Sequence, residues 1–252
     1  MSVEWYLMNA STTGGYENEE FGLWKDSFRN DILTSFAHDE ILNYHERMTN
    51  TPDRFPGVFQ SETENSYNQM KIRQVLCEIG NVRCGDLLKI KDRWWLVVSL
   101  VDDNKVYEKA VLYYCNYMLN FTSPLTRKTV TYPAYIHNAT QYNSGEKSRD
   151  YITVTSSQNI IILPYNDETV RLDNDYRFLV DRNSTYPSAW KIAQMDSTND
   201  FWDGNGVVRM MCVEDEHAST DDDVNMVADN QNWLDRRYPD MMPPDAGGGW
   251  ID

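Results

Sequence analysis

Three runs decide the fold: Cys84-Gly85-Asp86-Leu87-Leu88-Lys89-Ile90, Arg93-Trp94-Trp95-Leu96-Val97-Val98-Ser99-Leu100-Val101 and Val106-Tyr107-Glu108-Lys109-Ala110-Val111-Leu112-Tyr113-Tyr114-Cys115-Asn116. Only Lys91-Asp92 and Asp102-Asp103-Asn104-Lys105 separate them. Parallel neighbours need a crossover of about a dozen residues or more, so strands joined this tightly are antiparallel. The stretch reads as a meander within a small barrel. Trp94, Trp95 and Leu96 are consecutive large side chains, which point to alternate faces of a strand. Both faces of that strand therefore need cover, from the core or from a partner.

The rest of the composition agrees with a mainly β chain. Its 252 residues are enough for a substantial core, and 16 Tyr and 8 Trp suit strands and contact surfaces. No run of 18 or more apolar residues occurs, which excludes a helical membrane span, and Met1-Ser2-Val3-Glu4-Trp5-Tyr6 lacks the basic-then-apolar order of a secretory signal. Net charge is −16, and the segment from Asp196 to Asp252 holds 14 acidic against 3 basic residues. Such a surface does not wrap nucleic acid, because that affinity comes from Lys and Arg neutralising phosphates. It suits a surface past which DNA slides without adhering.

Along the chain, residues 1–60 read as an N-terminal arm and helix. Phe21, Trp24, Phe28 and Ile32 fall at helical spacing after acidic Glu17, Glu19 and Glu20, where the helix dipole favours them. Asp39 to Tyr44 adds a further turn in this reading, and Pro52-Asp53-Arg54-Phe55-Pro56-Gly57 is a loop by composition. Residues 61–213 form a β-barrel-like core. Its strands are expected at Met70–Glu78, through the meander, and at Tyr151–Thr155, Asn159–Leu163, Arg177–Asp181, Ala189–Ala193 and Gly206–Val213. A long excursion at 120–149 interrupts them. Residues 214–252 are an acidic, Pro/Gly-rich C-terminal arm whose composition folds only against something else, a neighbouring subunit in the simplest case.

Chemistry is hard to locate. Cys77, Cys84, Cys115 and Cys212 form no Cys-x-x-Cys pair and read as buried free thiols of a reducing compartment. His38, His45, His137 and His217 do not match a His-Glu-x-x-His or zinc-finger spacing, and the acidic triplet Asp221-Asp222-Asp223 lacks the alternating ligands and central Gly of a calcium loop. Neither a Gly-x-Ser-x-Gly elbow nor a phosphate-binding Gly-x-x-x-x-Gly-Lys loop is present. The expectation is a non-enzyme without catalytic, cofactor or metal residues. Asn138-Ala139-Thr140 and Asn183-Ser184-Thr185 match glycosylation sequons that carry no weight without a secretory signal.

The Gly85-Asp86 opening, short strand, polar turn and aromatic strand through Val97 resemble the barrel core of phage head-completion proteins. Across about residues 70–117, with Tyr107-Glu108-Lys109-Ala110 and Cys115-Asn116-Tyr117, the chain is also similar to small structural proteins of long-tailed phages. The resemblance implies a mainly β virion protein of the head–tail junction: a connector, stopper or adaptor that joins portal to tail. Its implied partners are copies of itself in a homo-oligomeric ring, neighbouring portal, adaptor or tail proteins, and DNA passing without sequence-specific contact. It implies no membrane, and a place in the virion after assembly in the host cytoplasm. Contacts are expected through Trp5, Tyr6, Trp94, Asp221, Asp222, Asp223, Trp233 and Trp250. A carbohydrate- or peptide-binding β module, stacking ligands on Trp94, Trp95, Tyr113, Tyr114 or Trp202, is the alternative. An acidic DNA mimic ranks third, because the charge is segregated into the tail.

Overall fold

The computed structural model describes residues 21–31, 38–61, 72–103, 105–138, 158–180 and 187–239. Strands dominate it, and they form two closed or nearly closed antiparallel barrels.

The first barrel contains the stretch that decides the fold. Its strands are β1 (Asp39–Asn43), β2 (Asp53–Ser61), β3 (Ile72–Cys77), β4 (Leu87–Ile90), β5 (Arg93–Val97), β6 (Asp102–Asp103) and β7 (Glu108–Tyr114). They run in the order β3-β2-β1-β4-β5-β7-β6, and a β3–β7 ladder from Ile72↔Tyr113 to Cys77↔Glu108 closes the circle. Lys91 and Asp92, both at positive φ (49° and 62°), turn β4 into β5. That handedness matches the twist of a two-residue hairpin. Leu88 and Ile90 of β4, Trp95 and Val97 of β5, and Ala110 and Leu112 of β7 point into the barrel with Ile41, Val75 and Cys77.

The second barrel follows at once: β8 (Tyr117–Thr122), β9 (Thr129–Asn138), β10 (Gln158–Pro164), β11 (Arg177–Val180), β12 (Ser188–Asp196), β13 (Phe201–Trp202) and β14 (Asn205–Asp215). Their order is β11-β12-β14-β10-β9-β8, with β13 folded back on β14 through an Asp203-Gly204 turn. Leu119, Phe121, Tyr132, Ile161, Tyr176, Phe178 and Met210 fill this barrel. No ladder joins the two end strands, β8 and β11, although they lie side by side.

The alternate residues of β4, β5 and β7 form a third core. Leu87, Leu96, Val98, Trp94, Val111 and Tyr113 face outward from the first barrel and meet Tyr135, Ile160, Ile162 and Val207 of the second. The need for cover on both faces of β5 is thus met within the chain. At the contact, Gly85 (φ +89°) lies so close to Gly206 that a Cβ on Gly85 would stand 2.0 Å from the Gly206 carbonyl oxygen.

Several expectations change. Residues 39–43 are strand rather than helix, because they pair with both β2 and β4. Pro52–Gly57 is mostly β2 rather than loop. Pro56 sits in the half of β2 that pairs only with β1, where a strand tolerates proline. A Cβ on Gly57 would meet Ile41 Cδ1 at 2.4 Å, so its Pro-Gly signal reflects packing rather than a turn. The boundary at residue 60 falls within β2, and the single core over 61–213 is two barrels. The excursion expected at 120–149 begins as the β8–β9 hairpin, in register from Tyr117↔Ala134 to Thr122↔Thr129. Residues 139–149 and the strand expected at 151–155 lie outside the described residues. Residues 21–31 are helical (α1), and Phe28 packs 4.8 Å from Tyr107.

Candidate functional site

Two surfaces stand out: the junction between the barrels and the acidic segment after β14.

At the junction, Leu100 of the first barrel is 59% exposed and Trp202 of the second 66%. Both line one groove of about 330 Å³ with Val82, Arg83 and Asp203. The β13–β14 turn explains the position of Trp202. Asp203-Gly204 is a tight hairpin signal, and the residue before it sits at the tip with little to pack on. On another side of the same junction a cleft of about 440 Å³ is lined by Ile72, Tyr113, Tyr135, Ile160, Asp196 and Arg209, among others. Arg209 is engaged by Asp200 there.

The acidic segment is held by its own chain. Arg177, the first residue of β11, donates from Nε to Asp215 at 2.8 Å and from Nη1 and Nη2 to both carboxylate oxygens of Asp221 at 2.9 and 3.0 Å. Asp221 also accepts from the backbone N–H groups of Ala218 and Asp229 at 2.8 and 2.7 Å. Burial pulls the Asp221 carboxyl upward, but these donors outweigh it and hold the group below the usual carboxylate range. Asn230 then caps the edge of β11: its Oδ1 accepts from Arg177 N and its Nδ2 donates to Arg177 O, both at 2.9 Å. The next residues form α2 (Gln231–Arg237), whose Trp233 and Leu234 enter the core of the second barrel. Arg127 caps the end of α2, donating to the Leu234 and Tyr238 carbonyls at 3.2 and 2.9 Å.

The residues expected at contacts are therefore dispersed. Trp94 is half-buried, its ring 4.8 Å from Tyr44. Asp221 is buried under Arg177, and Trp233 is a core residue whose indole N–H donates to Asn174 O at 2.9 Å. Neither is free to meet a partner in this fold. Asp222 and Asp223 are exposed; Asp222 accepts from Val224 N and Asn225 N, and Asp223 pairs with His217 at 2.7 Å. Trp5, Tyr6 and Trp250 lie outside the described residues. The sequence reading missed Arg177 and Asn230, and it set Trp202 only among possible sugar platforms. The Asp-Gly turn beside Trp202 was the available signal.

All four cysteines are free and buried. Burial pushes the Cys84 thiol up to about 11 and that of Cys212 up to about 12. Among the described residues no three His, Cys, Asp or Glu side chains are grouped to hold a metal ion, and no helix is long and apolar enough to cross a membrane.

The YomX N-terminal domain model matches residues 56–113 and the YomX C-terminal domain model matches residues 97–213. The two occur in order and between them span more than half of the chain. Residues 56–213 are thus similar to the two YomX domains in tandem. These domains are phage-derived and point to a phage-associated protein. The stretch common to both YomX matches, 97–113, contains Val98, Val111 and Tyr113, which face the second barrel. No curated protein and no solved structure matches the chain.

Proposed function

We propose that this chain, with its likeness to the YomX domains, is a non-catalytic structural protein of the phage particle, placed at the head–tail junction as a connector, stopper or adaptor. The observation that carries the reading is the apolar core shared by the two barrels, which makes them one rigid block. A rigid block whose waist groove exposes Leu100 and Trp202 suits repeated contact with identical or neighbouring subunits in a ring. Its excess of carboxylates keeps passing DNA from adhering. The buried carboxylates have structural tasks. Glu108 receives the N–H groups of Gly80 and Val82 at 2.8 Å each, and Glu168 receives Ser123 and Tyr132 hydroxyls at 2.8 and 2.6 Å.

Mass spectrometry of purified particles, with antibody labelling in the electron microscope, tests the proposal. The protein is expected in stoichiometric multiples at the neck. Its absence from mature particles overturns the reading. A carbohydrate- or peptide-binding role retains one supporting observation, the exposure of Trp202. Trp95, by contrast, is turned into a core, and Trp94, Tyr113 and Tyr114 pack against cores.

A further inference from the structure

The groove at the waist has two unlike walls. Arg83 of the β3–β4 loop and Leu100 of the β5–β6 loop, with Val82 and Val101, form the wall given by the first barrel. Trp202 and Asp203, at the tip of the β13–β14 hairpin, form the wall given by the second. Each wall thus carries one exposed large apolar side chain and one exposed charge, positive on the first and negative on the second. The first wall is part of the groove floor, whereas the hairpin tip is a knob, with Trp202, Asp203 and Gly204 all exposed.

The two walls do not satisfy one another. A groove of about 330 Å³ separates them, and Leu100 and Trp202 both stay mostly exposed. Among the described residues neither Arg83 nor Asp203 belongs to an ion pair. Asp86, the buried carboxylate that Arg83 influences, pairs with His45 instead. Asp203 accepts from Asn205 Nδ2 through its backbone carbonyl, which leaves its carboxylate at the tip in water.

Charge decides what fits there. At −16 two copies of this chain repel at long range, so a stable contact between them must set a cation against an anion. The walls supply that match, because the first wall of one copy complements the second wall of another in both charge and apolar surface. An uncharged ligand would leave both ions unpaired.

We propose that the waist groove is a contact between copies of this chain: the Trp202-Asp203 hairpin tip of one copy seats on the Leu100 wall of the next, with Asp203 against Arg83. The contact joins two different surfaces, so it is head-to-tail and can repeat around a ring. It names the subunit interface of the ring proposed above and rests on that reading for its place in the particle. Trp202 is the apolar anchor, and the Arg83–Asp203 pair fixes the register.

The test uses the full chain and two charge reversals, Arg83→Asp and Asp203→Arg, followed by sedimentation velocity over a range of concentrations. Both side chains are exposed, so neither reversal disturbs a core. The wild-type chain is expected to associate as concentration rises, and each reversal alone to weaken that association about tenfold or more, because it sets like charges together. Mixing the two variants in equal amounts should restore association, since every contact between unlike copies then joins a carboxylate to a guanidinium. Asp203→Asn removes the charge while suiting the positive φ of 50° at that position, and should weaken association less than the reversal does. A wild-type chain that stays monomeric throughout overturns the proposal, as does association that neither reversal weakens. So does a mixture that stays as weak as its components, because the two side chains would then not meet. Association through this contact by a chain that is absent from mature particles would overturn the neck reading and leave the contact standing.

Discussion

At the scale of single residues, Gly85-Asp86 shows why an unremarkable dipeptide opens the hairpin. Gly85 combines a positive φ with contact against Gly206, and Asp86 accepts from Asn43 Nδ2 at 2.7 Å and Arg83 N at 2.8 Å beside His45. Burial pushes the Asp86 carboxyl up, although the hydrogen bonds from Asn43 and Arg83 oppose it. Gly80 separates the two demands on Gly85, since it has φ +97° but nothing within 4 Å of an added Cβ. Gly80→Ala should therefore cost only the backbone strain, roughly 1–2 kcal/mol. Gly85→Ala should cost at least about 3 kcal/mol, since a backbone carbonyl cannot swing aside as a side chain can. Urea denaturation of the two variants measures the difference. Equal costs would mean that the barrels do not meet as closely as described.

At the scale of elements, β5 serves two cores, and the acidic segment depends on one guanidinium. Leu96 is fully buried between the barrels. Leu96→Ala should lower stability by about 2–5 kcal/mol, as expected for a well-packed core leucine. For the segment after β14, Arg177→Met leaves Asp221 buried without its partner and should cost about 3 kcal/mol. Amide exchange should show that loss first in residues 216–230. The acid dependence follows from the depressed Asp221 carboxyl. Its folded pKa lies below the unfolded value of about 3.9, so its contribution is complete above about pH 4 and is lost as pH falls through the folded value. Trp233 emission followed from pH 6 downward should therefore shift in acid, and the shift should be absent in Asp221→Asn.

At the scale of the molecule, the shared core couples the barrels. Thermal unfolding should show one cooperative transition by both tryptophan emission and circular dichroism, since Trp95 reports the first barrel and Trp233 the second. Two separated transitions would mean that the inter-barrel core adds little. Much of this architecture was legible beforehand: the antiparallel meander, the need for cover on both faces of the strand that carries Trp95 and Leu96, most strands of the second barrel and the free buried thiols. The first two strands were not, because Pro56 and Gly57 carry a loop signal that pairing with β1 and packing on Ile41 override. The contact residues were least legible. Trp233 and Asp221 stand in an acidic context that composition assigns to solvent, whereas a single arginine 44 residues earlier in the chain draws that context onto the barrel.

Short-range order came from the sequence alone. Alternating side chains, two-residue turns and the absence of crossover helices dictate antiparallel strands, because strand period and turn length are local properties of the chain. Only the tertiary structure decided that there are two barrels rather than one, that the outer face of β4, β5 and β7 is an internal interface, and that the acidic segment is drawn onto the second barrel. Each of these depends on pairings between residues far apart in the chain, such as Ile72 with Tyr113, Gly85 with Gly206 and Arg177 with Asp221. Local patterning fixes what a residue prefers to bury; it does not specify which distant surface will bury it.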